Sequence, residues 1–463
     1  MRTLFISSAL IVAFCICANR PAHAAPANII YILLDDAGYG DLSCYGQTKF
    51  KTPNIDRLAT EGIRFTQHYS GSTVCAPTRS VLMSGLHTGH TAVRGNKEIR
   101  PIGQHPIPAS TFTIAEALKE SGYATGAFGK WGLGYPGSEG APENQGFDRF
   151  YGYNCQRNAH TYYPTRLFDN EKKITLDGKT YAHDPIMREA LKFIRTNSTK
   201  PFFCFMPVTI PHAAMHVPEE YAAPFRKQFP QFKDKVGRYA GPPVKNPAAM
   251  FAGMMTKLDE GVGQIMNLVK ELGIDDQTII MLSSDNGPHK EGGHMPDFFD
   301  SNGPLKGYKR DLYEGGIRVP LIARWPGKIK AGAISRHISA HWDIFPTFCE
   351  LAGRKVPAGI DGISLLPSLL GGEDQQQHEY LYWEFHERSG ARAVRFGKWK
   401  AVQRNLKKKD NPPVELYDLA QDLGETNDLA AGNPALIRKA RDYFKLAHKP
   451  SAIWKMRWEK TTQ

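Results

Sequence analysis

The chain has 463 residues, 41% of them hydrophobic, and a formal charge of +12. This composition excludes a disordered chain and a small disulfide-built scaffold, because it supplies apolar side chains for a large core. The length corresponds to roughly three domains, or to one large α/β core with an appendage; the basic balance implies attraction to anions, without the zinc spacing or aromatic-interleaved basic repeats of a nucleic-acid binder.

The first residues read as an export signal. Arg2 gives the positive start, residues 4–17 the apolar stretch, and Ala22-His23-Ala24 the small-x-small cleavage pattern. Cleavage after Ala24 would make residues 1–24 a signal peptide and the mature chain exported, periplasmic or secreted. Cys15 and Cys17 lack the small preceding residue of a lipoprotein signal, since Phe14 and Ile16 stand there. No later stretch approaches the ~20 apolar residues of a membrane span. Arg2 and Arg20 leave with the signal, so the mature charge is two lower. Of seven cysteines, Cys44, Cys75, Cys155, Cys204 and Cys349 remain. An odd number leaves at least one free thiol. Cys204 reads as a buried strand residue and Cys349 as a helix core residue; whether Cys44 and Cys155 pair is left open.

Residues 28–34 form a continuous apolar run ending in Asp35-Asp36, the pattern of a strand covered on both faces. A helix is expected from Pro53, with Thr52 before it as N-cap. The pattern then alternates: helix over 113–120, strand over 124–128, helix over 185–196, strand over 202–207, helix over 248–272, strand over 278–283 leading to Asp285-Asn286, strand over 319–323, and helix over 344–351. Such alternation predicts an α/β fold with a large, mostly parallel sheet flanked by helices. Ligands of such sheets bind beyond the carboxyl ends of the strands, where Asp35-Asp36, Lys130 and Asp285-Asn286 all fall. After the Gly/Gln-rich residues 371–377 the rhythm changes to short aromatic runs at 381–385, 391–396 and 399–404, then a helix from Pro434. This predicts a smaller C-terminal antiparallel sheet with one helix, Lys407-Lys408-Lys409 being a solvated hairpin turn. The expected division is a catalytic domain over 25–372 and a subdomain over 373–463.

The aspartates at two strand ends, with Asn286, make a set of hard oxygen donors suited to Ca²⁺ or Mg²⁺ and not to zinc. Between them in sequence stands Cys75-Ala76-Pro77-Thr78-Arg79, ahead of the helix-like Ser80-Val81-Leu82-Met83. This pentapeptide resembles the maturation motif of the sulfatase family, whose cysteine is oxidised to formylglycine. Ile32-Leu33-Leu34-Asp35-Asp36, Gly129-Lys130-Trp131, Ser284-Asp285-Asn286-Gly287, Tyr313-Glu314-Gly315-Gly316-Ile317-Arg318-Val319-Pro320 and Glu415-Leu416-Tyr417-Asp418-Leu419 are similar to further sulfatase motifs, in family order. The resemblance runs from about residue 28 to about 429 and implies an alkaline-phosphatase-like fold.

It also implies roles. Asp35, Asp36, Asp285 and Asn286 would hold one calcium ion together with the modified Cys75. The hydrated aldehyde would offer one oxygen to attack sulfur, and the second hydroxyl an exit route for sulfate. Arg79 would stabilise the alkoxide, Lys130 and Lys306 would bind sulfate oxygens, and His212 would protonate the leaving alcohol. A formylglycine-generating maturation enzyme is an implied partner, and a sulfated carbohydrate or aryl sulfate the substrate. The chain departs from the pattern at one point: many sulfatases carry Lys-Trp-His, whereas this sequence reads Lys130-Trp131-Gly132. His160, in a loop with Arg157, Tyr162 and Tyr163, is the candidate replacement for that base. The same loop with His289, His294 and His386 offers groups that could bind a sugar. Two other activities fit the same residues, a phosphate or phosphonate ester hydrolase and a non-catalytic glycan-binding relative with unmodified Cys75; the Lys130, His212 and Lys306 set argues against the latter.

Overall fold

The computed structural model describes residues 26–409 and 411–456; the expected export signal at 1–24 lies outside them. Its centre is an 11-stranded sheet. In spatial order the strands are Ala333–Ser335, Ile63–Tyr69, Arg318–Arg324, Thr278–Ser284, Asn28–Leu34, Phe202–Pro207, Ala124–Lys130, Arg149–Tyr153, Arg166–Asp169 and Lys172–Thr175, with Ser339–Ala340 also paired to Ile63–Tyr69. The central five, from Thr278–Ser284 to Arg149–Tyr153, are parallel. Arg318–Arg324 runs antiparallel to both its neighbours, and Arg166–Asp169 and Lys172–Thr175 extend the far edge antiparallel.

The unbroken apolar run of the first strand has a direct cause. Ile30, Ile32 and Leu34 enter the core beneath the helices His183–Thr196 and Pro247–Glu271, while Ile29, Tyr31 and Leu33 enter the opposite core against Ile114–Glu120 and Ile344–Leu351. Side chains alternate across a strand, so a strand covered on both faces must be apolar throughout. The helix Ile114–Glu120 opens with a capping box in which Thr113 accepts from the Glu116 amide and the Glu116 carboxylate accepts from the Thr113 amide. Thr52, expected as a cap for Pro53–Thr60, makes no such bond; its hydroxyl accepts from the Ser43 amide at 3.0 Å.

The C-terminal strands Leu381–Phe385, Ala391–Phe396, Trp399–Arg404 and Val414–Asp418 form an antiparallel sheet in chain order, and Pro434–Leu446 packs against it. This sheet is tied to the large one by buried polar contacts: Lys400 Nζ donates to Glu314 Oε1 at 2.9 Å, and the Trp383 indole donates to the Ser70 carbonyl at 2.9 Å. Cys44 and Cys155 are both free thiols, so the pairing left open does not form here. Among the described residues no helix is long and apolar enough to cross a membrane.

Candidate active site

Parallel strands bring their carboxyl ends to one edge. Leu34 pairs with Ser284 in register, which sets Asp35-Asp36 beside Asp285-Asn286; the Asp36 amide donates to Asp285 Oδ1 at 3.0 Å. Two strands away, Lys130 ends its own strand and reaches back to Asp35 Oδ2 at 2.6 Å. The helix Cys75–Ser84 begins at Cys75 itself. Its Sγ lies 3.5 Å from Lys130 Nζ. One turn on, Arg79 donates to Asp285 Oδ2 at 3.0 Å and to the Lys130 carbonyl. All these side chains are buried.

Three carboxylates therefore face three cations: Lys130 on Asp35, Lys309 on Asp36 at 2.7 Å, and Arg79 on Asp285. Burial, together with Asp35 beside it, pushes Asp285 up to about 7 against the pull of Arg79. Burial opposes ionisation of Asp36 as well, but Lys309, His212 and His289 hold its carboxyl well below the usual range. Asp35 Oδ1 and Asn286 Oδ1 are buried with no hydrogen-bond partner. A buried oxygen left unpaired is costly, and carboxylates crowded enough to raise Asp285 favour an added positive charge. Orphaned oxygens from a carboxylate and an amide are the donors a hard divalent cation takes. Ligating atoms of Asp35, Asp36, Cys75 and His212 also lie within 4.8 Å of one another. The residues present fit such an ion.

Above the cluster is a cavity of about 400 Å³ lined by Cys75, Gln156, His160, His212, Tyr239 and Lys309, with Arg157, Arg310 and Glu387 also on its wall. His212 presents Nε2 to Asp36 Oδ2 at 3.4 Å while its Nδ1 is paired with the Ala213 carbonyl. Burial, aided by Lys309, lowers the pKa of His212 well below the ordinary histidine value. Burial also pushes the Cys75 thiol up to about 12, although Lys130 and Lys309 pull the other way. The unmodified side chain is thus a protonated thiol at neutral pH and a poor nucleophile.

Asp35, Asp36, Lys130, Asp285 and Asn286 come together at the strand ends, and Cys75, Arg79 and His212, which the resemblance alone implied, join them from a helix start and a turn. Lys306 does not: its Nζ donates to the Glu425 carbonyl at 2.7 Å and lies over the rings of Tyr313 and Tyr417. The cation at Asp36 is Lys309, which the sequence reading passed over. Gly307, at φ +88°, turns the chain between the two lysines, and the Lys309 amide is pinned to the Pro288 carbonyl at 2.9 Å and the Arg310 amide to the Thr73 carbonyl at 3.1 Å. That backbone links the Asp285 turn to the segment before Cys75. The only sequence signal was a second lysine three residues on.

The expected sugar-binding residues divide. His160 and Arg157 line the cavity, Arg157 exposed and paired with Glu98. Tyr162 does not line it: fully buried, its hydroxyl donates to the Thr209 and His212 carbonyls and so fixes the His212 turn. His289 is buried behind His212, near the Pro211 carbonyl. His294 is stacked on Phe251 with centroids 4.0 Å apart. His386 Nε2 donates to Glu384 Oε1 at 2.8 Å, in a buried cluster with Arg94 and His448. His294 and His386 pack in the protein body, whereas His289 borders the acidic cluster, ligating atoms of Asp36, His289 and Glu291 lying within 4.8 Å of one another.

A buried set of carboxylates and cations around Cys75, at the carboxyl edge of an alkaline-phosphatase-like sheet, defines a hydrolase of anionic esters. Comparison with known proteins narrows this class. The sulfatase family model matches residues 27–354, and a model described as N-sulphoglucosamine sulphohydrolase, C-terminal, matches residues 307–439. The chain is 32% identical to N-acetylgalactosamine-6-sulfatase of Rattus norvegicus, covering 81% of this chain and 71% of that protein. It is likewise 32% identical to arylsulfatase A of Homo sapiens, covering 89% and 85%. Among solved structures, that of Ps i-CgsB in complex with k-i-k-neocarrahexaose is similar with a TM-score of 0.78 and 29% identity, over 91% of this chain and 93% of that one. The chain belongs to the sulfatase family and is a sulfuric ester hydrolase.

Proposed function

We propose that this sulfatase removes sulfate from a carbohydrate, using Cys75 matured to formylglycine and a calcium ion held by Asp35, Asp36, Asp285 and Asn286. The observation that carries this reading is the buried, unpartnered oxygens of Asp35 and Asn286 in the cluster that also holds Cys75. Buried oxygens without a partner are costly in an ion-free protein. When bound, the ion and the aldehyde hydrate would supply a nucleophilic oxygen of lowered pKa. The chain's own residues do the rest. Lys130 and Lys309 point amines at the space beside Cys75, where sulfate oxygens gain charge in the transition state. Arg79, anchored on Asp285 and the Lys130 carbonyl, holds the base of the pocket in position. His212 faces the same space with Nε2, and because its Nδ1 proton is held by the Ala213 carbonyl it donates to the leaving oxygen only once an anionic ester has drawn a second proton onto the ring; His160 stacked on it is the group to accept the proton when sulfate departs. Basic charge favours an anionic glycan, and an exported chain would meet its maturation enzyme during export. The Arg157, His160 and Tyr239 wall suits a sugar ring. The domain division at residue 372 remains part of this proposal.

The test is a mass measurement joined to turnover. Co-expression with a maturing enzyme should lower the mass of the Cys75 peptide by about 18 Da, the change from thiol to aldehyde. Activity on an aryl sulfate should rise with that fraction and exceed activity on the matching aryl phosphate. Full activity with retained cysteine would sink the mechanism.

A further inference from the structure

Gly132 stands where many relatives of this family would carry a histidine, and the structure shows what takes up the space. At φ +81°, Gly132 directs its missing side chain at Gln156: a Cβ there would lie 2.0 Å from Gln156 Nε2. The amide of Gln156 thus fills the room a side chain at 132 would need. The backbone brings the two residues together: the Gly132 amide donates to the Asn154 carbonyl at 3.0 Å and the Trp131 amide to the Tyr153 carbonyl at 2.9 Å. Gln156 is only 6% exposed, lines the cavity with Cys75, His160, His212 and Lys309, and has no hydrogen-bond partner at either Nε2 or Oε1.

We infer that Gln156 is a specificity-determining residue that hydrogen-bonds ring hydroxyls of the sulfated sugar, a role that rests on the sulfatase reading above. A buried amide with both ends unpaired in the protein calls for a partner that offers both a donor and an acceptor. A sulfate group has acceptors alone and would leave Oε1 unpaired. A sugar hydroxyl both donates and accepts, and one hydroxyl or two neighbouring ones satisfy the whole amide. An amide also cannot take a proton at neutral pH. Replacing the histidine by the Gly132–Gln156 pair therefore exchanges a base for a reader of neutral polyol, and leaves proton transfer to His160 and His212. Sites built to bond a substrate hydroxyl discriminate strongly against analogues that lack it.

The matured enzyme would be assayed on monosulfated monosaccharides, their monodeoxy analogues and 4-nitrophenyl sulfate. Gln156→Leu should lower kcat/KM for the preferred sugar sulfate relative to the aryl sulfate by about tenfold or more. That loss should shrink for the analogue lacking the bonded hydroxyl. Gly132→Asn, which tolerates positive φ but pushes the Gln156 amide aside, should shift the same ratio while keeping the glutamine. An unchanged ratio in both variants, or equal losses on sugar and aryl esters, overturns the inference. Wild-type turnover of the aryl sulfate with no sugar sulfate accepted also overturns it, while ester hydrolysis stands; no turnover of any sulfate refutes the underlying reading instead.

Discussion

His160 lies flat on His212, their ring centroids 4.8 Å apart and their planes 8° from parallel. Burial, with Lys130 and Lys309 nearby, pushes His160 down to about 3 and lowers His212 as well. Both rings are neutral at physiological pH, and a proton on either raises the cost of one on the other. In the empty site neither ring carries an extra proton, so His212 is charged only when a bound anionic ester favours it, and the neutral His160 beside it is free to accept. His160→Ala should lower kcat by about 100-fold and alter the pH profile of kcat. Unchanged turnover with an unchanged profile would remove His160 from the mechanism.

The two lysines separate by position. Lys309 is buried on Asp36, so in the metal-free protein Lys309→Ala leaves that buried carboxylate without its cation and with only the Asn286 amide at 2.7 Å and His212 beside it, a loss of about 3–5 kcal/mol, and takes a cation from the cavity. We expect kcat/KM to fall by about 100-fold or more. Lys306→Ala breaks one bond to the Glu425 carbonyl and two ring contacts. It should cost about 1 kcal/mol of stability with turnover changed only a few-fold. Steady-state kinetics and thermal unfolding of both variants check this, and the reverse order would return Lys306 to the site.

The contrast between these lysines marks where sequence stops being informative. Strands buried on both faces announce themselves, so Asn28–Leu34, Phe202–Pro207 and Thr278–Ser284 were legible, together with the aspartates that follow the first and the last of them. Ile63–Tyr69 was not. Its Arg64, Thr66 and Gln67 are only half-buried, because short strands and loops cover that part of the sheet incompletely, and the apolar signal is diluted. The antiparallel sense of Arg318–Arg324 was invisible for another reason: direction depends on the long route from Asn286, not on composition. Within the site, residues at strand ends were found from the pattern, and Cys75, Arg79 and His212 from their motifs. Those carried by turns, namely Lys309 beyond Gly307 and Gln156 opposite Gly132, were missed. Tyr162 and His294 were misassigned because an aromatic residue in a polar loop reads the same whether it faces a cavity or the core.

The cation can be tested apart from activity. With Asp35 Oδ1 and Asn286 Oδ1 unpartnered, a bound ion should stabilise the folded chain by mass action, about 2.7 kcal/mol at a hundredfold excess over Kd. Chelation should lower Tm by several degrees and added Ca²⁺ restore it. Asn286→Ala should weaken the Ca²⁺-dependent rise in Tm. A Tm indifferent to chelator and to Ca²⁺ would mean that the acidic cluster holds no such ion.

Acid should destabilise the protein for a reason remote from catalysis. His183, at the start of the helix His183–Thr196, is fully buried; burial, aided by Lys257, lowers it to about 4, against the weaker pull of Asp184. In the unfolded chain it titrates near 6.5. Between these values the unfolded state binds the extra proton, so stability rises with pH across the window and is lost as pH falls from about 6.5 toward 4. At pH 5 this one group would remove about 2 kcal/mol relative to neutral pH. His87, lowered by burial to about 4, and His341, lowered by burial to about 3, act in the same direction. Thermal unfolding followed from pH 7 to pH 5 should show Tm falling. In His183→Gln, where the titrating group is gone, the fall should be smaller although the variant starts less stable at pH 7. Equal slopes in the two proteins would show that His183 is protonated at little cost, with its buried ring reached by water or by Asp184.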